Sequence, residues 1–117
     1  MKTEPIRVAV FLRGCRRRRE IQAVIASPNF AVHRDIHSVG NRAIADGFGW
    51  NVTHIPTGLL LLHNCHTRAK AIKAAKELET IYDKWPSITS RNYRKVFPML
   101  VIIAVHRLRV KYGVALS

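Results

Sequence analysis

The sequence predicts an α+β domain: a small antiparallel sheet with helices packed on one face, followed by a hydrophobic C-terminal helix. Three observations carry this. Trp50–Asn64 has β-forming residues on both sides of Pro56-Thr57-Gly58, the pattern of a hairpin. Thr67–Trp85 is rich in Ala, Lys and Glu, with apolar residues at helical spacing and Pro86 as its stop. Residues 16–85 also present the order helix, strand, strand, strand, helix, which closes one core between two layers. A chain of 117 residues has room for one domain, with its core at 16–85 and an extension at 86–117.

The elements follow in order. Ile6–Leu12 is short and β-branched and predicts a strand. Arg16–Ala26 carries Ile21, Val24 and Ile25 at helical spacing and ends at Ser27-Pro28, which predicts a first helix. Arg16–Arg19 would then stand at its N-terminus, the wrong end for cations beside the helix dipole. A ligand-binding lead-in or a start near Arg19 resolves that conflict. Asn29–Ile36 alternates as a strand, with Phe30 and Val32 on one side. His37–Gly49 is loop-like, with at most one helical turn at Asn41–Ala45.

With Thr57-Gly58 as a two-residue turn, His54 pairs with Leu61, Val52 with His63 and Trp50 with Cys65. One hairpin face then holds Trp50, Val52, His54, Leu61, His63 and Cys65. A three- or four-residue loop is the alternative, and a one-residue slip exchanges the faces. In the second helix Thr67 is the cap, and Ala71, Ala75, Leu78, Tyr82 and Trp85 form the apolar stripe. Pro98 and Gly113 bracket a final helix over 99–112, which is favoured over a strand although Leu100–Val105 is rich in β-branched residues and Arg107–Tyr112 alternate with period two. Either way Leu100–Val105 belongs in the core or at a dimer interface.

Charge is the strongest functional signal. Twenty Lys and Arg face seven Asp and Glu, a net charge of +13. Such a chain repels itself, and an anionic partner relieves the repulsion. Nucleic acid, RNA or DNA, is the expected partner, because each neutralised phosphate releases a counterion. The arginines favour this, since a planar guanidinium matches phosphate. Arg13 and Arg16–Arg19 crowd into seven residues, and Arg16, Arg17, Arg18 and Arg19 form the first expected phosphate clamp. Lys70 and Lys73, with Arg68 at the helix start, form the second. Arg91, Arg94 and Lys95 form a third, beside Tyr93 as the expected base-stacking aromatic. Phe48 and Phe97 also lie among basic residues, whereas Trp50 and Trp85 are assigned to the core.

Other classes find little support. Met99–Val105, the longest apolar run, is far short of the ~20 residues of a membrane span. Glu4, Pro5 and Arg7 interrupt any signal-peptide core. Cys15 and Cys65 make no disulfide framework, so two reduced thiols in the cytoplasm are expected. Cys15 beside arginines is read as a small thiol at a helix start rather than a nucleophile. No P-loop, zincin or hydrolase-elbow motif appears, and the acids are scattered, so neither an enzyme nor a cofactor is expected. His54, His63, Cys65 and His66 gather near the hairpin end, yet their spacing matches no zinc signature and no metal is assigned.

The order of elements over 16–85, and Thr67-Arg68-Ala69-Lys70-Ala71 with Lys73, Ala74, Ala75 and Lys76, resemble the double-stranded-RNA-binding domain and its basic last helix. That resemblance implies a helix straddling an RNA groove and slightly favours RNA. The family's proline–histidine pair is missing, and its glycine-rich approach is replaced by His63-Asn64-Cys65-His66. Trp50–Gly58 ahead of an Ala/Lys-rich helix is also similar to small phage and mobile-element proteins. These include inhibitors of host defence complexes, such as anti-CRISPR proteins. This resemblance implies an alternative, binding to an acidic host protein complex.

Overall fold

The computed structural model describes residues 3–12, 15–89, 91–96 and 99–112, without the side chains of 11, 96 and 99–103. Five consecutive strands come first: β1 (Thr3–Leu12), β2 (Cys15–Ser27), β3 (Phe30–Val39), β4 (Arg42–His54) and β5 (Leu59–Cys65). They pair in chain order into one antiparallel sheet. After them come α1 (Arg68–Ile81), a 3₁₀ turn (Trp85–Ser87), α2 (Tyr93–Val96) and α3 (Met99–Lys111). The architecture is α+β, with helices on one side of the sheet.

Arg16–Ala26 is a strand and not the expected helix. Its apolar run is covered on both faces: Ile21 and Ala23 pack with Ile6 and Val8, while Ala26 joins the core under α1. A strand buried on both sides gives a continuous apolar segment, which over a few residues mimics helical spacing. The conflict between the arginines and a helix dipole disappears with the helix. The expected order of helix, three strands and helix over 16–85 is therefore four strands followed by α1. The expected loop at 37–49 is also sheet: β3 runs to Val39, and β4 restarts at Arg42 after a tight turn at Gly40-Asn41. Asn41–Ala45 forms no helical turn.

The β4–β5 hairpin is present with a different register. Trp50 pairs with Cys65 as expected, but Val52 faces Leu62, Thr53 faces Leu60 and His54 faces Leu59. Residues 55–58 make a four-residue loop, and bulges interrupt the ladder near Trp50 and Val52. His63 thereby leaves the face of Val52 and joins the side of Asn51 and Thr53.

α1 begins where its cap predicts: Thr67 Oγ1 accepts from the Lys70 amide at 3.1 Å. Ala71, Ala74, Ala75 and Leu78 pack on Phe30, Val32, Val52, Leu62 and Cys65. The helix ends at Ile81, short of Trp85, because Tyr82 is extended. The 3₁₀ turn then drives Trp85 into the core. Its indole N–H donates to the Leu78 carbonyl at 2.7 Å, and its ring meets Phe30 edge-on at 4.9 Å. His54 bridges the same region, with Nε2 at 2.9 Å from the Trp85 carbonyl and Nδ1 at 2.8 Å from Thr57 Oγ1. Burial holds this imidazole below the usual histidine pKa. Glu79 staples α1 to the β2–β3 turn by accepting from Ser27 Oγ and from the Asn29 amide and side chain. Val105 and Leu108 of α3, and Tyr112 just after it, are buried against the same core. The bracketing Pro98 and Gly113, and the side chains of 100–103, lie outside the described residues.

The sheet curls. β2 pairs with β3 only between Val24 and Ser27. Beyond that point the β1–β2 ribbon bends over the uncovered face. It is fastened at two places. The Ala9 amide donates to the Gly58 carbonyl at 2.8 Å, and Arg19 donates to the Asn41 carbonyl at 3.2 Å and to its side chain at 2.9 Å. Gly58 has φ +70, and a Cβ there would lie 2.6 Å from the Arg7 carbonyl, so only glycine admits this approach. Among the described residues no helix is long and apolar enough to cross a membrane.

Candidate nucleic-acid interface

In a strand, consecutive side chains point to opposite faces, so the four residues Arg16–Arg19 divide between the two faces of β2. The ladder sets Arg16 opposite Phe11 and Arg18 opposite Ala9 on one face, with Arg17 opposite Val10 and Arg19 opposite Val8 on the other. Their surroundings differ too. Arg16 and Arg17 are exposed, whereas Arg18 and Arg19 are half-buried. Arg18 reaches the Arg7 carbonyl at 3.4 Å, and its Nε is buried with no hydrogen-bond partner among the described residues. Arg19 is engaged by Asn41.

Arg16 is brought to the third cluster. Arg94 Nε donates to the Tyr93 hydroxyl at 3.0 Å, and Arg94 and Arg16 together hold that phenol below its usual pKa. Two guanidinium groups far apart in sequence thus meet at one hydroxyl. Arg91 and Lys95 are exposed on the same short segment. The ring of Tyr93 is partly buried against the core, whereas Phe48 on β4 is 90% exposed. On α1, Arg68, Lys70 and Lys73 are all exposed. Arg109 and Lys111, from the same basic tail, serve the fold: Arg109 donates twice to the Leu61 carbonyl at 2.8 and 2.9 Å, and Lys111 pairs with Glu77 at 2.9 Å.

Comparison with known proteins returns no matching family model, no matching curated protein and no matching solved structure.

The four hairpin residues with metal-ligand chemistry are not gathered: His54 and Cys65 are buried on the α1 side, His63 lies on the other face, and His66 is exposed. Burial raises the Cys65 thiol above its usual pKa. Cys15 is exposed at the start of β2.

A polar constellation that the sequence did not single out occupies the uncovered face. A cavity of about 330 Å³ lies inside the curl, lined by apolar Val8, Val10, Ile36 and Leu60 and by polar His33, Asp35, Asn51, Thr53 and His63. Asp35 Oδ1 accepts from His63 Nε2 at 3.0 Å, Asn51 Nδ2 at 3.1 Å and the Ile36 amide at 3.0 Å. Partial burial pushes the Asp35 pKa up, but the bonds from Asn51 and His63 outweigh it and leave the carboxyl below its usual value. His33 forms the floor. Its Nδ1 lies 2.8 Å from the Arg34 carbonyl, so that nitrogen carries the proton, and Nε2 accepts from the Thr53 hydroxyl at 2.7 Å. Burial lowers its pKa and keeps it neutral. The one signal in the sequence was polar alternation, in His33-x-Asp35 and Asn51-x-Thr53, on strands whose other faces are apolar.

Proposed function

We propose that this protein binds nucleic acid through the phosphate backbone with low sequence specificity, RNA being slightly preferred. The observation that carries this is the meeting of Arg16 and Arg94 at the Tyr93 hydroxyl. Two guanidinium groups held side by side repel each other, and a phosphate placed between them turns that repulsion into two charge-assisted contacts. Arg91 and Lys95, exposed on the same short segment, extend the positive surface along the backbone. Arg68, Lys70 and Lys73 on α1 supply a second contact region, and the exposed Phe48 offers a ring for an unpaired base. The preference for RNA rests on the similarity of the Thr67–Lys76 helix to the basic helix of double-stranded-RNA-binding domains. Two free thiols suit action in the cytoplasm.

The test is a salt titration of binding to duplex RNA, duplex DNA and single strands. The expected result is affinity falling steeply with salt. Replacing Arg16 and Arg94 together by Ala should lower it about tenfold or more at ~0.15 M salt and flatten the slope by about two counterions. A protein that binds no nucleic acid at that salt overturns the proposal and turns attention to an acidic host protein as partner.

A further inference from the structure

We propose that the cavity on the concave face is a general acid–base site that cleaves RNA, with His63 as the catalytic base and Asp35 as its positioning residue. The inference rests on the reading of the protein as a nucleic-acid binder and adds chemistry to a chain whose motifs pointed to none.

The arrangement of His63 carries it. The imidazole donates from Nε2 to Asp35 Oδ1, so its second nitrogen, Nδ1, bears the lone pair. That nitrogen has no hydrogen-bond partner among the described residues, and the side chain is 35% exposed where it lines the cavity. Asp35 cannot swing away, because Asn51 and the Ile36 amide hold the same oxygen. An imidazole oriented by a fixed carboxylate, with its other nitrogen open, is the geometry a general base requires. His33 lacks it, since both of its ring nitrogens are occupied.

The backbone is bent to make this pair. Asp35 sits in the bulge between Arg34 and Ile36, and His63 in the irregular stretch opposite Asn51. Asn64, next in sequence, is left-handed at φ 66, and its amide donates to Asn51 Oδ1 at 3.0 Å. Its side chain occupies the space a Cβ on Gly49 would need, at 2.1 Å. In an unbulged register His63 would face Val52 beneath α1. Bulges re-aim side chains in this way beside active sites. Asn51 joins the two bulges, bonding Asp35 directly and the backbone next to His63 through the Asn64 amide.

The substrate follows from the surroundings. Val8 and Val10 wall the cavity, and their cross-strand neighbours Arg19, held by Asn41, and Arg17, exposed, share that face next to the lining. RNA brings its own nucleophile, and a single base starts the reaction. His63 Nδ1 takes the proton of a 2′-hydroxyl, the O2′–P bond forms and the P–O5′ bond breaks. The departing 5′-oxygen takes a proton from water, and the imidazolium returns its own to the resulting hydroxide. The products are a 2′,3′-cyclic phosphate and a 5′-hydroxyl; DNA, lacking the 2′-hydroxyl, stays intact.

The experiment incubates the full chain, in EDTA, with an end-labelled single-stranded RNA of mixed sequence and with its DNA equivalent. Binding is measured on the same strands. The expected result is RNA fragments with 2′,3′-cyclic ends by mass spectrometry and uncut DNA. His63→Ala and His63→Gln, both checked for cooperative melting, should lose ~100-fold or more in rate while still binding. Asp35→Asn should lower kcat and leave KM unchanged, which a merely structural role would not do. RNA bound but uncut overturns this inference and leaves the binding proposal standing, whereas RNA neither bound nor cut overturns both. Equal cleavage by wild type and both His63 variants marks a contaminating nuclease and also overturns it.

Discussion

The two faces of the sheet are built from the same strands yet obey different rules. Beneath α1, Phe30, Val32, Val52, Leu62 and Cys65 meet Leu78 and Trp85 in a core without water access. On the concave side, Ala31 gives way along β3 to His33 and Asp35, and β4 contributes Asn51 and Thr53. The polar groups on that side satisfy one another instead of excluding solvent. A hydrogen bond exchanged for one to water contributes little net stability, whereas burial of a large aromatic contributes several kcal/mol. The helix-covered face holds the fold together, and the concave face is available for chemistry.

Substitution can sharpen or break that contrast. Trp85→Ala should cost about 3–5 kcal/mol in urea unfolding, because it empties the space between Phe30, His54 and Tyr82. A loss below ~1 kcal/mol would mean the core does not hinge on the indole.

A smaller effect comes from pH, and each face contributes one histidine. His33 and His54 both have folded pKa values below the reference 6.5, so the unfolded chain binds protons that the folded one refuses. Their stabilisation is complete above about 6.5 and is lost progressively as pH falls towards the depressed folded values. The unfolding free energy from urea titrations should fall between pH 7.5 and 5.5, by at most ~1.4 kcal/mol per pH unit for each histidine. His54→Gln should remove the share of the helix-covered face and His33→Gln that of the concave face. A stability independent of pH over this window would contradict the buried neutral state of both. The smallest effect is expected at His63→Ala, below ~1 kcal/mol, as for a partly exposed side chain outside the core. A loss comparable to that of Trp85→Ala would make the Asp35–His63 pair structural and remove the ground for catalysis.

Legibility in the sequence followed how local the determining forces are. α1 was readable to its cap because Thr67 and the alanine spacing act within a few residues, and the Trp50–Cys65 hairpin because Pro56-Thr57-Gly58 turns the chain by itself. β2 was not, since one face is buried under α1 and the other by the curl of the β1–β2 ribbon onto Ala31, Ile36 and Ile55. The arginines were seen as a group, but their division between faces follows from strand alternation and the meeting of Arg16 with Tyr93 from tertiary folding. The Asp35–His63 pair was hidden for a further reason. It depends on bulges in two strands, and a bulge shifts every later residue to the other face without leaving a compositional trace.

The Ala9–Gly58 fastening and the Arg109 fork have a consequence for how copies of the chain behave in a crowded solution. A sheet of five strands ends in two unpaired borders, each a template for a neighbouring molecule's strand. Here the free side of β1 is turned onto the β4–β5 loop, and a carbonyl on the open side of β5 is covered by a guanidinium from α3. Each border is thus engaged at one point from within the same molecule, and the high like charge of each copy adds repulsion between copies. The Ala9–Gly58 contact, which helps to close the cavity, therefore also makes β1 a poorer template for a neighbouring strand.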